Sequence, residues 1–548
     1  MHERVQVRVD ASRRTGNLEH RWTYIGYDEC NYTHSPGGMA LIRKIGSLGE
    51  PYCIRMHHLL CTGNRHGFYK WGSTNVYTED RDGNPVYDFE TVDRIIDILL
   101  ANNCIPFFEL GFMPRDLADP REAENGVSYT AGYGSVGEYQ LRGWCQPPKD
   151  YGRWYELIYR LAVHLRDRYG AGEVEKWYFE MWNEPDIFYW HGTPGEFCKL
   201  FDYTEAALHK ALPAARFGGP ATTGSDDPEG TAGRFLRTFL EHARGGTNYF
   251  SGKTGTRLDF TSFHSKGGNY RSDAAAEKQT PSVRTFLANV RTQAAIIRAC
   301  GYGSLECVLS EADPDGWAAG GRFDNFNLYF RNTEYYASWV MCAYKNLFDL
   351  ASELEMDIRP LAWAFLFEGE RCFEGTRSLS TQGIDKAILN LFRLLSRLGT
   401  ERVALYSSGS QSDGTEIDGW AVLNGEALQV LVFCHHDDWD RKEIYDVSLV
   451  LENLPAEGPV RITHHRIDRE HSNACAEWER QGCPDWPDGK QRAAILARSG
   501  PELLGPPEDA AVTGGCLDLR FTLPTHAVSL LTIRPASPEG EKEALCNG

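Results

Sequence analysis

The chain has 548 residues, 42% of them hydrophobic, and a formal net charge of −19. That length exceeds one ordinary core and predicts two or three domains. The acidity argues against nucleic acid or an anionic membrane as the main partner, but a locally basic pocket stays compatible with an anionic small substrate. No run approaches 18 apolar residues, and the opening "MHERVQVRVDASRRTG" has no apolar signal-peptide core, so a cytoplasmic protein without membrane spans is expected. Fifteen cysteines occur without a CxxC pair, which favours free thiols, with Cys475 and Cys483 as the one pairing worth testing.

In chain order, "RVQVRVD" alternates like a strand, and residues 1–16 are expected to join a sheet formed later in the chain. Between residues 17 and 400 strand-like and helix-like segments alternate. The strand candidates are "RWTYIGYDEC", "PYCIRMHHLL", "CIPFFELGF", "KWYFEMW", "ARFGGPAT", "RLDFTSFHS", "ECVLSEAD" and "PLAWAFLFE". Helical stripes lie between them: Val92, Ile95, Ile96, Leu99 and Leu100 follow Asp88, and Val283, Phe286, Leu287, Val290 and Ile297 follow Pro281. The last helix, "IDKAILNLFRLLSRLG", is expected to stop at Gly399. Eight such units predict a (β/α)8 TIM barrel, with a doubly wound sheet as the alternative. From 401 to 536 short alternating strands predict an antiparallel β-sandwich, interrupted by a Pro/Gly-rich excursion after Gln481; residues 537–548 read as a tail.

Catalytic groups of such a barrel sit at the C-terminal ends of its strands. Glu184, in "WNEPD", ends the fourth, and Glu311, in "VLSEADPDGW", ends the seventh, 127 positions later. Two carboxylates facing each other across a barrel mouth suit glycoside cleavage, one donating a proton to the leaving oxygen and the other acting as nucleophile or base. Arg55 and His57 share a face of the second strand, and His264 and Lys266 share a face of the sixth. An inward ammonium needs a partner: Glu311, or the carboxylate of a substrate. Arg377, after the eighth strand, adds a second cation, and Glu368 and Glu370 stand close to that strand's end.

These motifs resemble the glycoside hydrolase family that joins α-L-iduronidases with β-xylosidases, in the clan of retaining TIM-barrel enzymes. "KWYFEMWNEPD" is similar to that family's acid/base strand. "GTNYFSGKTGTRLDFTSFHSKGG", "SEADPDGW" and "TRSLST" resemble the iduronidase sixth strand, nucleophile segment and arginine segment, and "VRVDASRRTGNLEHRW" resembles the family's N-terminal entry. The resemblance spans roughly residues 4–535. It implies Glu184 as acid/base, Glu311 as nucleophile and Asn183 on the sugar 2-hydroxyl. It implies Lys266, Arg377 and the backbone N–H groups of Gly316 and Trp317 on a uronate carboxylate, and Arg55, His57, His264 and Glu368 lining the subsite. The spacing to Gly316 is one residue shorter than in the iduronidases, and the eighth-strand acid is Glu where they carry Asp.

The implied reaction is retaining exo-hydrolysis of terminal α-L-iduronic acid from glycosaminoglycan-derived oligosaccharides, without metal or cofactor. The cation pair separates this from the alternative, a β-xylosidase, because a neutral xylose needs no clamp for a carboxylate. A catalytically idle carbohydrate-binding protein is disfavoured by the presence of both glutamates and Asn183. "HHDD" at His435–Asp438 lacks a third ligand at familiar spacing and is expected to be a turn.

Overall fold

The structure, a computed structural model, describes residues 2–62, 73–120, 145–268, 277–316, 321–410, 413–455 and 457–536. All eight expected barrel strands form. In order they are Tyr24–Tyr27, Tyr52–Met56, Cys104–Leu110, Tyr178–Met181, Arg216–Thr222, Phe260–Lys266, Glu306–Asp313 and a final strand in two pieces. Ile358–Pro360 pairs with the seventh strand and Ala362–Trp363 pairs with the first, both in parallel. That double pairing closes the ring and excludes the open doubly wound sheet.

Alternation sorts each strand's side chains between the helices outside and the lumen inside. Tyr24, Cys53, Phe107, Tyr178, Phe260, Val308 and Trp363 form one buried apolar cluster contributed strand by strand, which plugs the lumen. Two positions on from four of these, toward the C-terminal ends, stand Arg55, Glu109, Glu180 and Ser262, so a polar layer rests on the apolar plug. The seventh strand needs a correction to deliver its acid. Its register against the sixth slips between Leu309 and Glu311, so Glu311 lies opposite His264 and Asp313 opposite Lys266. The extra residue, Ser310, turns Glu311 onto the lumen face.

The helices follow the expected stripes with small shifts at their ends. Glu90–Leu100 starts after Phe89, although the Asp88 carboxylate accepts from the Glu90 N–H at 3.1 Å. Val283–Ala299 is capped by Ser282. The last barrel helix, Ala387–Leu395, stops short of Gly399, with Ser396 as its C-cap.

The second region is an eleven-stranded sheet built from Glu3–Asn17 and the strands between Glu401 and Pro535, nine of them in one hydrogen-bonded path and two attached at its side. The N-terminal strand pairs antiparallel with Glu401–Ser407 but parallel with Ile444–Glu452, so the sheet is not antiparallel throughout. Val5, Val7 and Val9 share one core with Val430, Val432, Leu449 and Leu531, so the sheet curls over its own apolar face. The excursion after Gln481 follows the helix Ala474–Arg480 and contains a second, Gly489–Leu496. "HHDD" belongs to the joint with the barrel: His435 Nδ1 lies 3.0 Å from Ser338 Oγ, and the Asp437 carbonyl accepts from Tyr335 Oη at 2.6 Å. The fourteen described cysteines, Cys475 and Cys483 among them, are free thiols. Among the described residues no helix is long and apolar enough to cross a membrane.

Candidate active site

The turn after the fourth strand presents the first acid under backbone strain. Trp182 and Glu184 both take left-handed φ values, 66° and 44°, which non-glycine residues adopt at a cost of about 1–3 kcal/mol. The Glu184 N–H is anchored on the Ala221 carbonyl at 2.8 Å. Asp186 ties the same turn to the fifth strand, accepting from the Thr223 N–H at 2.8 Å. Burial pushes the Asp186 carboxyl up to about 6, against the Thr223 hydrogen bonds.

Glu184 and Glu311 face each other. One oxygen of each and a ring nitrogen of His264 all lie within 4.8 Å of one another. His264 Nδ1 is 2.8 Å from Glu184 Oε1 and 3.8 Å from Glu311 Oε2, so the imidazole bridges the two acids. This trio is the group among the described residues spaced to hold a cation, and the Lys266 ammonium, 2.6 Å from Glu311 Oε2, already supplies positive charge there.

The cations expected from strand parity converge on Glu311. Lys266 Nζ is also 3.0 Å from Asp313, and Arg377 Nη2 is 3.4 Å from Asp313 and 3.7 Å from Glu311. Arg55 Nη1 and His57 Nε2 stand 3.6 and 3.5 Å from Glu311 Oε1. Burial alone would raise the Glu311 carboxyl. Lys266, then His264, the His57 hydrogen bond and Arg377 outweigh it and hold the group well below the usual carboxylate range. Glu311 is therefore an anion at neutral pH, as attack on carbon requires.

Beneath this layer Arg55 is fully buried and holds three acids: Nε donates to Glu180 at 2.6 Å, Nη2 lies 2.9 Å from Glu109, and Nη1 faces Glu311. Its Nη2 also donates to Asn183 Oδ1 at 3.1 Å, which leaves the Asn183 amide N–H groups for a ligand. Burial opposes a charged His57, but Glu109 at 2.6 Å outweighs it, helped by Glu311, and pushes the imidazole up to about 9. The Trp363 ring closes the floor, 5.1 Å from the Arg55 guanidinium and 4.5 Å from the His57 ring.

Two expected contacts, those of Gly316 and Glu368, have partners within the protein. The Gly316 N–H donates to the Gly268 carbonyl at 2.9 Å instead of pointing at a ligand. Trp317 lies outside the described residues. Glu368 accepts from the Gly37 N–H at 2.8 Å and from the Ser35 hydroxyl, at the N-terminus of the helix Pro36–Gly46. Glu370 accepts from the Gly375 N–H at 2.6 Å, and both acids line a groove on that side. Four further acids belong to the site without a motif that points to them: Glu109, Glu180, Asp313, and Asp28, which lies 3.7 Å from His57 Nε2 and 3.9 Å from Arg377 Nη1. A signal short of a motif was present for Glu109 and Glu180: each is a lone acid within an apolar strand, "FFEL" and "YFEM".

The family model for glycosyl hydrolases family 39 matches residues 5–507. The chain belongs to that family. It is a glycoside hydrolase, and its barrel with an appended sheet region is the family's fold. It is 26% identical to a β-xylosidase of Caldicellulosiruptor saccharolyticus, over 79% of this chain and 81% of that one. It is 25% identical to the human α-L-iduronidase, over 98% of this chain and 80% of the relative. Among solved structures, a bacterial orthologue of human α-L-iduronidase superposes with a TM-score of 0.76 at 21% identity, covering 98% of this chain and 85% of that one. A monomeric β-xylosidase from Caulobacter crescentus gives the same TM-score and identity, covering 97% and 100%.

Proposed function

We propose that this family 39 enzyme is a retaining exo-glycosidase that removes a terminal α-L-iduronic acid from glycosaminoglycan-derived oligosaccharides. The observation that carries the uronate is the convergence of Lys266 and Arg377 on one spot beside Glu311. Two cations of different donor geometry suit a carboxylate, the guanidinium in two parallel hydrogen bonds and the ammonium as a point charge.

The steps follow from the side chains. Glu184, protonated, gives its proton to the glycosidic oxygen while Glu311 attacks the anomeric carbon. The C–O bond to the leaving sugar breaks and a glycosyl ester with Glu311 forms. Glu184, now a carboxylate, takes a proton from water, whose oxygen attacks the same carbon and frees Glu311. The spacing within 4.8 Å supports retention, because inverting enzymes hold their carboxyl groups about 6.5–9.5 Å apart to admit a water. In this reading Asn183 holds the 2-hydroxyl through its amide.

The second reading, a β-xylosidase, has its own support. Asp313, at 3.0 and 3.4 Å from the two cations, together with Glu311 already balances their charge, so a neutral sugar meets no unpaired cation. The β-xylosidase relatives fit this reading as well. The deciding experiment compares kcat/KM for an aryl α-L-iduronide and an aryl β-D-xyloside. Faster turnover of the xyloside sinks the uronate reading and leaves the glycosidase intact.

A further inference from the structure

Trp486 is the most exposed large apolar side chain among the described residues, at 64% of its full accessibility. It belongs to the excursion from the curled sheet, yet it lines a groove of about 280 Å³ on the barrel rim. The floor is apolar, with Leu41 and Phe367. Glu368, Glu370 and Gln382 line it as well. The cation in the groove, Lys44, is spent on Asp385 at 2.5 Å.

The backbone on both sides of Trp486 is anchored. The Asp485 carbonyl accepts from the Cys372 N–H at 2.9 Å and from Gln382 Nε2 at 3.2 Å, and the Pro484 carbonyl accepts from Trp478 Nε1 at 2.9 Å. On the other side Asp488 caps the helix Gly489–Leu496, reciprocated by Gln491. Such bracing leaves little entropy to lose when a ligand stacks on the indole. Glu370 is 6% exposed, and its Oε1 has no hydrogen-bond partner. Burial pushes its carboxyl up to about 7, against the Lys386 charge and the hydrogen bonds of Thr381 and the Gly375 N–H.

A braced indole over an apolar floor with carboxyl groups alongside matches a pyranose or furanose ring, which offers a C–H face and a rim of hydroxyls. A flat apolar partner would leave the buried Oε1 of Glu370 without a match. Among the lining residues the one cation, Lys44, is already paired with Asp385, so nothing there draws sulfate or uronate. The position excludes the cleavage step itself. Glu184 ends the fourth strand, and the groove is formed at the eighth strand's loop and the helix after the first, on the opposite side of the ring.

We propose that the groove beneath Trp486 is a second carbohydrate-binding site, separate from the cleavage centre, that takes an uncharged sugar unit of an oligosaccharide. It rests on the chain being a glycosidase and not on the identity of the sugar it cleaves. The volume, just under the roughly 300 Å³ at which ligand sites usually begin, suits one ring.

The test uses full-length Glu184→Gln enzyme, which binds without rapid cleavage, on an array of neutral and sulfated oligosaccharides, with and without Trp486→Ala. The expected result is at least one neutral oligosaccharide whose affinity falls about tenfold or more on Trp486→Ala and recovers in Trp486→Phe. In the otherwise native enzyme, Trp486→Ala leaves aryl glycoside hydrolysis unchanged. Retention of no glycan in a Trp486-dependent manner overturns the proposal, as does Trp486-dependent binding confined to sulfated chains. Dissolution of a dimer by Trp486→Ala in light scattering, without an effect on glycans, assigns the face to a second copy and also overturns it.

Discussion

Lys266→Met tests the clamp and the nucleophile together, because one ammonium serves both. Its Nζ lies 2.6 Å from Glu311, and a unit pair at that distance attracts by on the order of 6 kcal/mol at an effective dielectric of 20. Without it, Glu311 keeps its burial and the nearby Asp313 but loses the largest opposing charge. The sign is fixed: a nucleophile with a depressed pKa is active above that pKa and lost as pH falls through it, so removing the cause of the depression moves the acid limb of kcat/KM upward. Both substrates suffer this loss alike. A uronate loses in addition one charge-assisted hydrogen bond of about 1.5–3 kcal/mol, which is roughly 10- to 150-fold in kcat/KM. The assay is therefore a pair of pH–rate profiles, one on an aryl α-L-iduronide and one on an aryl β-D-xyloside. An unmoved acid limb refutes the electrostatic account of Glu311, and equal losses on the two substrates refute the carboxylate clamp.

Glu184→Gln should lower kcat by about 10²–10⁴ on a substrate with a poor leaving group and much less on a dinitrophenyl glycoside, which needs no proton; equal losses on both argue against Glu184 as the acid. Glu311→Ala should abolish turnover, and azide should restore it as a glycosyl azide of inverted anomeric configuration; the retained azide, or none, removes Glu311 from the nucleophile role. His57, raised to about 9 from 6.5, contributes roughly 3 kcal/mol of stability below pH 6.5 that fades as pH rises through 9. Glu109→Gln should flatten that slope in urea unfolding followed between pH 6 and 9.5, and an unchanged slope denies the pair. Thr193→Ala removes one half of the capping box on the helix Pro194–Ala211 and should cost about 1 kcal/mol with no change in kcat/KM.

The eight strands were legible because each is an apolar run between polar helices, and the two glutamates were legible because both follow such runs directly. What placed them within reach was less visible. The slip at Ser310 that turns Glu311 inward leaves no mark in "VLSEAD", since strict alternation would send Glu311 outward if Val308 points in. Glu368 illustrates the opposite failure. Its rank in the chain put it near the sugar, but "SPGG" starts a helix whose free N–H groups compete for any nearby carboxylate, and Ser35 and Gly37 take it. Parity did better than position. It paired Arg55 with His57 and His264 with Lys266, and the same reasoning carried one strand further pairs Glu311 with Asp313. That third carboxylate alters the chemical argument about the sugar. With Asp313 in place the two cations are not surplus charge awaiting a uronate; they are already compensated, and a bound carboxylate must compete with Asp313 for them. Selectivity for a uronic acid would then depend on how far Lys266 and Arg377 turn from Asp313 toward substrate, so Asp313→Asn, which weakens the competitor and keeps the shape, should raise affinity for the uronide relative to the xyloside. A fall in that ratio would mean that Asp313 holds the cations in place for the substrate rather than against it.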